Sequence, residues 1–158
     1  MAIPKKIIQF FDKAKVKYDV IRHRTVYTAY DKAQTLKVSQ RIIGKTLVLR
    51  VDNRVALVLI PANKNLDKGK FKKIAKVKQM DFVNEVWMKK NLKGTKIGAI
   101  PPFGNLWRLP TFIEKSLLKE PRIIVNGGDY NWSIKINPTS LKKLIPDLTV
   151  GYFAKIKK

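Results

Sequence analysis

The chain contains no cysteine and a single histidine, His23. The first absence removes disulfides, a thiolate nucleophile and thiolate-held zinc together, and the second leaves no His-rich metal site. No metal and no cofactor are expected. A Ser-His-Asp triad would have to be centred on His23, and no nucleophile-elbow motif accompanies it. Acidic side chains are scarce as well: 11 Asp and Glu stand against 34 Lys and Arg, a formal charge of +23. Glutamate is confined to Glu85, Glu114 and Glu120, which argues against the joint Lys and Glu enrichment of heat-stable proteins. No apolar run reaches the roughly 18 residues of a membrane span, and Met1-Ala2-Ile3-Pro4-Lys5-Lys6 lacks the apolar core of a signal peptide. A soluble, cytoplasmic protein is the expectation.

What is present is a chain of 158 residues with 45% hydrophobic side chains, enough for one domain over residues 1–158 with a real core. Its positive charge calls for a polyanion, and nucleic acid fits better than an acidic membrane surface or a drift toward lysine in composition. Charge alone does not choose RNA over DNA. The basic residues are densest at Lys64, Lys68, Lys70, Lys72, Lys73 and Lys76, which form either a nucleic-acid footprint or a solvated helix face. A basic tail, about 150–158, ends in Lys155-Ile156-Lys157-Lys158, which is expected to fray.

Ile3, Ile7, Phe10, Phe11 and Ala14 share one helical face, with Pro4 suited to the first turn. Tyr18 to His23 reads as a short strand. Thr28 starts a capped helix whose inner face is Ala29, Ala33 and Leu36. Gly44 to Arg50 and Val55 to Ile60 form a hairpin around Asp52-Asn53. Residues 61–65 read as loop, after which Asp67 and Asn84 each cap a helix. Residues 122–126 and 132–136 are strands joined through Gly127-Gly128, and Asn137-Pro138 opens a last helix with Leu141, Leu144 and Ile145.

Two features point to chemistry. Lys45 stands at the mouth of an apolar strand, either snorkelling to solvent or offering its ammonium to a phosphate, carboxylate or ester carbonyl. The segment from Gly94 to Gly104 holds three glycines and Pro101-Pro102, a composition that reads either as a plain turn or as a rigid loop whose exposed backbone amides form an anion or carbonyl cradle. His23 reads as a strand-end histidine with a structural hydrogen bond or as a border of the site. Trp87, Trp107 and Trp132 read as core or loop anchors.

Several segments in this order resemble the YbaK/ProX family of aminoacyl-tRNA deacylases, which includes the editing domain inserted in bacterial prolyl-tRNA synthetases. They are Thr28-Ala29 with Ala33, Ile43-Gly44-Lys45-Thr46-Leu47-Val48-Leu49, Leu59-Ile60-Pro61-Ala62, Gly98-Ala99-Ile100-Pro101-Pro102-Phe103-Gly104, and Asn126-Gly127-Gly128 followed by Ser133-Ile134. The resemblance implies an α/β fold with a mixed, strongly curved sheet flanked by helices, and hydrolysis of the ester joining a wrong amino acid to tRNA. It matches Lys45 to the family's functional lysine, and Gly98, Ala99, Ile100 and Gly104 to the loop whose backbone meets the ester. Substrate contacts are expected from Tyr18, His23, Val26, Tyr27, Thr28, Pro101, Pro102, Phe103, Gly127, Gly128 and Asp129. The expected partners are tRNA, held by Lys64 to Lys76, and an aminoacyl-tRNA synthetase; no membrane partner is implied. Glu114 and Asp129 depart from the family pattern, where an aspartate and a small hydroxyl residue are usual. A non-catalytic RNA-binding or synthetase-associated module on the same scaffold is the alternative.

Overall fold

The computed structural model describes residues 5–157; Ile3 and Pro4 of the expected first helix lie outside them. Helix α1 (Lys5–Ala14) buries Ile7 and Phe11, as their spacing of four along one stripe requires. Strand β1 (Asp19–Arg22) follows, then α2 (Ala29–Leu36), where the Thr28 side chain accepts from the Asp31 N–H at 3.0 Å. The hairpin of β2 (Gly44–Val51) and β3 (Arg54–Pro61) turns at Asp52, which adopts φ +53° and whose carboxylate accepts the N–H groups of Lys78 and Gln79. That carboxylate therefore fastens the turn to the segment leading into β5.

Beyond the hairpin lie β4 (Lys64–Leu66), α3 (Lys68–Ala75), β5 (Met80–Phe82) and α4 (Glu85–Asn91). The chain continues with β6 (Thr111–Glu114), α5 (Lys115–Leu118), β7 (Ile123–Asn126), β8 (Trp132–Ile136), α6 (Leu141–Leu144), β9 (Thr149–Gly151) and β10 (Ala154–Ile156). Asp67 and Asn84 cap α3 and α4 as expected. None of the described helices is long and apolar enough to cross a membrane.

The strands form a five-stranded sheet in the order β5-β2-β3-β6-β9, a three-stranded sheet β1-β8-β7, and a ribbon β10-β4. The large sheet is mixed: β5, β2 and β3 run antiparallel, whereas β3, β6 and β9 run parallel. One parallel bridge, Ile43 to Ile124, ties the start of β2 to β7, so the two sheets meet beside Lys45. The α/β class and mixed sheet expected from the sequence are present.

Alternation along the hairpin separates two faces. Leu49, Val51, Val58 and Ile60 pack with Phe71, Phe112 and Phe153 on one. Val48 and Leu57 pack with Val83, Leu92 and Ile100 on the other. In the small sheet, Ile123, Val125, Ile134 and Ile136 meet α1 and α6. The opposite side of β7 carries Ile124, packed with Ile43 and with Ala33 of α2.

Two expectations are overturned. Residues 61–65 are not simply loop, since Pro61 ends β3 and Lys64 opens β4. The basic tail does not fray as a whole: Ala154, Lys155 and Ile156 pair with Leu66, Asn65 and Lys64. Phe153 is fully buried, and its N–H and that of Ala154 donate to Glu114 Oε1 at 2.9 and 3.1 Å. A buried aromatic and a carboxylate 39 residues upstream hold a segment whose own composition reads as disordered. Burial raises the Glu114 pKa, but the donors from Ser116, Phe153 and Ala154 outweigh it and leave the carboxyl below its ordinary value.

Candidate functional site

The Gly98–Gly104 loop is fastened along most of its length. Gly98 takes φ +86°, a conformation glycine adopts without steric cost. The Ala99 N–H donates to Lys96 O, the Gly128 N–H to Ala99 O, and the Lys96 N–H to Gly128 O, each at 2.9 Å. The loop and the Gly127-Gly128 turn are thereby zipped together. At its far end the Gly104 N–H donates to Thr111 Oγ1 at 3.0 Å. A Cβ on Gly104 would sit 2.3 Å from Leu109 O and from Thr111 Oγ1, so only glycine fits there. Of the amides expected to form a cradle, those of Ala99 and Gly104 are thus engaged within the protein. The N–H groups of Gly98 and Ile100 have no acceptor among the described residues.

Behind the loop lies a polar chain that begins in α2. Lys32, 6% exposed, donates from Nζ to Asn126 Oδ1 at 2.7 Å. Asn126 Nδ2 in turn donates to Ile100 O at 3.1 Å. Burial pushes the Lys32 pKa down to about 8, because its ammonium has no ion-pair partner among the described residues. A buried cation holding an amide that holds the loop carbonyl fixes the orientation of each group in turn. Next to it, His23 Nε2 and Ser133 Oγ are 2.9 Å apart, and His23 Nδ1 is 2.8 Å from Arg24 O. Burial lowers the His23 pKa, against the raising effect of the Arg24 carbonyl and with smaller contributions from the Lys32 and Arg24 charges. Burial therefore favours the neutral imidazole.

The rim is aromatic. Tyr27, 64% exposed, meets Tyr130 edge to face at 4.8 Å, and the Tyr130 hydroxyl donates to Ile97 O. The buried Asp129 carboxylate lies 3.1 Å from Lys96 Nζ, which stands 5.4 Å over the Tyr130 ring. A small hydroxyl in place of Asp129 would leave Lys96 without this anchor.

The remaining predicted residues are dispersed. Lys45 pairs with Ile60, so its Cβ leaves the sheet on the Ile60 and Phe153 face, opposite Ile100. It is half-buried, has no hydrogen-bond or ion-pair partner among the described residues, and its pKa is lowered by desolvation and then by Lys157. Tyr18 stacks on Phe11 at 4.3 Å, at the end of β1 remote from His23. Phe103 is fully buried against Phe10 and Phe11. Pro101 and Pro102 are buried, as is Val26. The lysines at 64, 68, 70, 72, 73 and 76 lie along β4, α3 and its cap, with no ion pair among the described residues.

Sequence reasoning did not single out Lys32. One signal was present: it lies three residues after Ala29 and one before Ala33, on the stripe that faces the core. Among the described residues no group of three or more His, Asp or Glu could hold a metal ion.

The model of the aminoacyl-tRNA editing domain matches residues 23–144, from the His23 hydrogen-bond pair through α6. This chain belongs to the aminoacyl-tRNA editing domain family. Several solved structures share its fold at low identity. The hypothetical protein APE2540 has a TM-score of 0.86 at 20% identity, over 96% of this chain and 100% of that one. A protein provisionally assigned as a trans-editing enzyme for prolyl tRNA synthetase has a TM-score of 0.84 at 21% identity, over 98% of each chain. A protein from Marinobacter aquaeolei VT8, provisionally assigned to signal transduction, gives 0.72 at 12% identity over 97% of this chain and 31% of its own. Comparison with curated proteins gives no match. At these identities the likenesses establish the fold, and the editing-domain match establishes the family.

Proposed function

We propose that this chain is an aminoacyl-tRNA deacylase that hydrolyses mischarged tRNA without a metal. The observation that carries the reading is the Lys32–Asn126–Ile100 chain, which holds the loop beside the two unengaged amides of Gly98 and Ile100. An aminoacyl ester is already activated, so positioned donors and an aligned nucleophile supply a useful rate without a protein nucleophile. Water, or water relayed by the neighbouring ribose hydroxyl, adds to the ester carbonyl while these N–H groups face the developing oxyanion. The C–O bond to the 3′ oxygen then breaks and that oxygen takes the proton, giving a free amino acid and a free 3′ hydroxyl. Tyr27, Thr28, His23 and the Gly127-Gly128 turn border the aminoacyl group, and exclusion of larger side chains selects the substrate.

Lys45 is assigned as an electrostatic anchor for tRNA phosphate. In this role it works from the α3 and β10 face with Lys157 and the lysines of β4 and α3, through charge that salt screens. The binding alternative, an RNA-binding or synthetase-associated module, shares all of this charge and differs only in lacking turnover.

The test is deacylation of a panel of mischarged tRNAs by wild type, Lys45→Ala and Lys32→Met. The proposal expects hydrolysis of at least one substrate, a large loss of kcat in Lys32→Met, and a raised, salt-sensitive KM in Lys45→Ala. No turnover on any mischarged tRNA alongside salt-dependent tRNA binding would leave the binding module as the answer.

A further inference from the structure

Outside the loop itself, a cleft of about 480 Å³ opens between α4 and residues 95–97, lined by Glu85, Lys89, Thr95, Lys96, Ile97 and Tyr130. Its volume is within the roughly 300–1,000 Å³ range of small-ligand sites. It shares Tyr130 with the aromatic rim, and a Cβ on Gly98 would lie 3.4 Å from Tyr27 O and 3.8 Å from the Tyr130 ring. Tyr130 thus borders both the cleft and the Gly98 backbone. It lies on the Ile100 side of the large sheet, whereas α3 and its lysines cover the other.

The lining, with Tyr27 beside it on the Tyr130 ring, has the parts of a nucleotide site. Lys89 is exposed in the last turn of α4 and has no ion pair among the described residues. Lys96 is held in place by the buried Asp129 and the Tyr130 ring, which lowers the entropy lost when it meets a ligand. Glu85, one helical turn before Lys89, is an acceptor-only group suited to ribose hydroxyls. Tyr27, two-thirds exposed and braced by Tyr130, is a ring on which a base can stack.

We propose that this cleft binds the single-stranded 3′ segment of the tRNA, with Lys89 and Lys96 on phosphate, Glu85 on a ribose hydroxyl and Tyr27 under a base. The proposal rests on the deacylase reading for its choice of RNA, and it feeds the ester toward Gly98 from the cleft side. Glu85 makes the site prefer ribose over deoxyribose, since the 2′ hydroxyl is the group that separates them.

The test uses a short fluorescent oligoribonucleotide ending in CCA, its deoxyribose counterpart, and the full-length chain. At low salt the wild type binds the RNA more tightly than the DNA. Lys89→Glu and Tyr27→Ala each weaken RNA binding about tenfold, and Lys89→Glu reduces the salt slope by about one. Glu85→Ala, which removes the acceptor, abolishes the preference for ribose. A double Lys142→Ala/Lys143→Ala variant on α6 binds like wild type. In deacylation Lys89→Glu raises KM and leaves kcat unchanged. Absence of RNA binding by the wild type at low salt, or wild-type binding by Lys89→Glu together with an unchanged ribose preference in Glu85→Ala, overturns the proposal. If no mischarged tRNA is hydrolysed but the binding pattern holds, the deacylase reading fails and the cleft stands. If hydrolysis proceeds and Lys89→Glu alters neither KM nor binding, the cleft falls and the deacylase reading survives.

Discussion

Replacing Lys32 by Met tests the buried ammonium through its effect on stability. Its pKa falls from 10.5 to about 8 in the folded chain, and each tenfold change in proton affinity corresponds to about 1.4 kcal/mol. Protonated Lys32 therefore costs the folded state roughly 3 kcal/mol below pH 8. Between pH 8 and 10.5 the unfolded chain holds more protons than the folded one, so wild-type stability climbs with pH and the cost is gone above 10.5. Methionine has a similar length and no charge. At pH 7 the substitution removes that cost but leaves Asn126 Oδ1 without its donor, a loss of about 1–3 kcal/mol. The variant should then match the wild type or exceed it by up to roughly 2 kcal/mol. At pH 10.5 only the unpaired oxygen remains, and the variant should be weaker by about 1–3 kcal/mol. Urea unfolding of both proteins from pH 7 to 10.5 reads this difference, in which the titration of the other lysines cancels. A difference constant to within about 0.5 kcal/mol across the range would show that Lys32 is not a buried cation, and the account of the loop's support would fail with it.

Gly104→Ala should destabilise by several kcal/mol, on the order of 2–4, since its Cβ would meet the Leu109 carbonyl and Thr111 hydroxyl at 2.3 Å; thermal unfolding measures it. Phe153→Ala should cost about 3–5 kcal/mol despite lying only five residues before Lys158 in a basic tail, because the ring is fully buried among Phe71 and its neighbours; denaturant midpoints check this. The Glu114 carboxyl, held below its ordinary pKa, contributes stability above the unfolded value that is lost as pH falls through the folded one, so Glu114→Gln should flatten the acid limb of the stability curve. His23 should titrate below an ordinary imidazole in NMR, and the stability it contributes should decline as pH is lowered through that midpoint.

The sequence by itself determined the elements whose cause is local. Thr28, Asp67 and Asn84 cap helices because a short polar side chain reaches an amide two or three residues on. The hairpin of β2 and β3 follows from two apolar runs around Asp52-Asn53. The order of the glycine, proline and lysine motifs sufficed to indicate the family, and the positive charge to suggest a polyanion. Strand β6 escaped because four residues between Pro110 and Lys115 carry too short a pattern, and its parallel partners are remote in sequence. Strand β10 escaped because its pairing depends on β4 and on Glu114, 39 residues upstream of Phe153.

Only the tertiary structure could decide which lysine meets the loop. Both Lys45 and Lys32 are lysines beside apolar residues, and the sequence favours Lys45 by its motif. The pairing of Lys45 with Ile60 sends it to the opposite sheet face, and the packing of α2 across β7 delivers Lys32 to Asn126 instead. A side chain's type is written in the sequence, whereas the face it leaves from and the group it meets are set by register and packing between segments nearly a hundred residues apart.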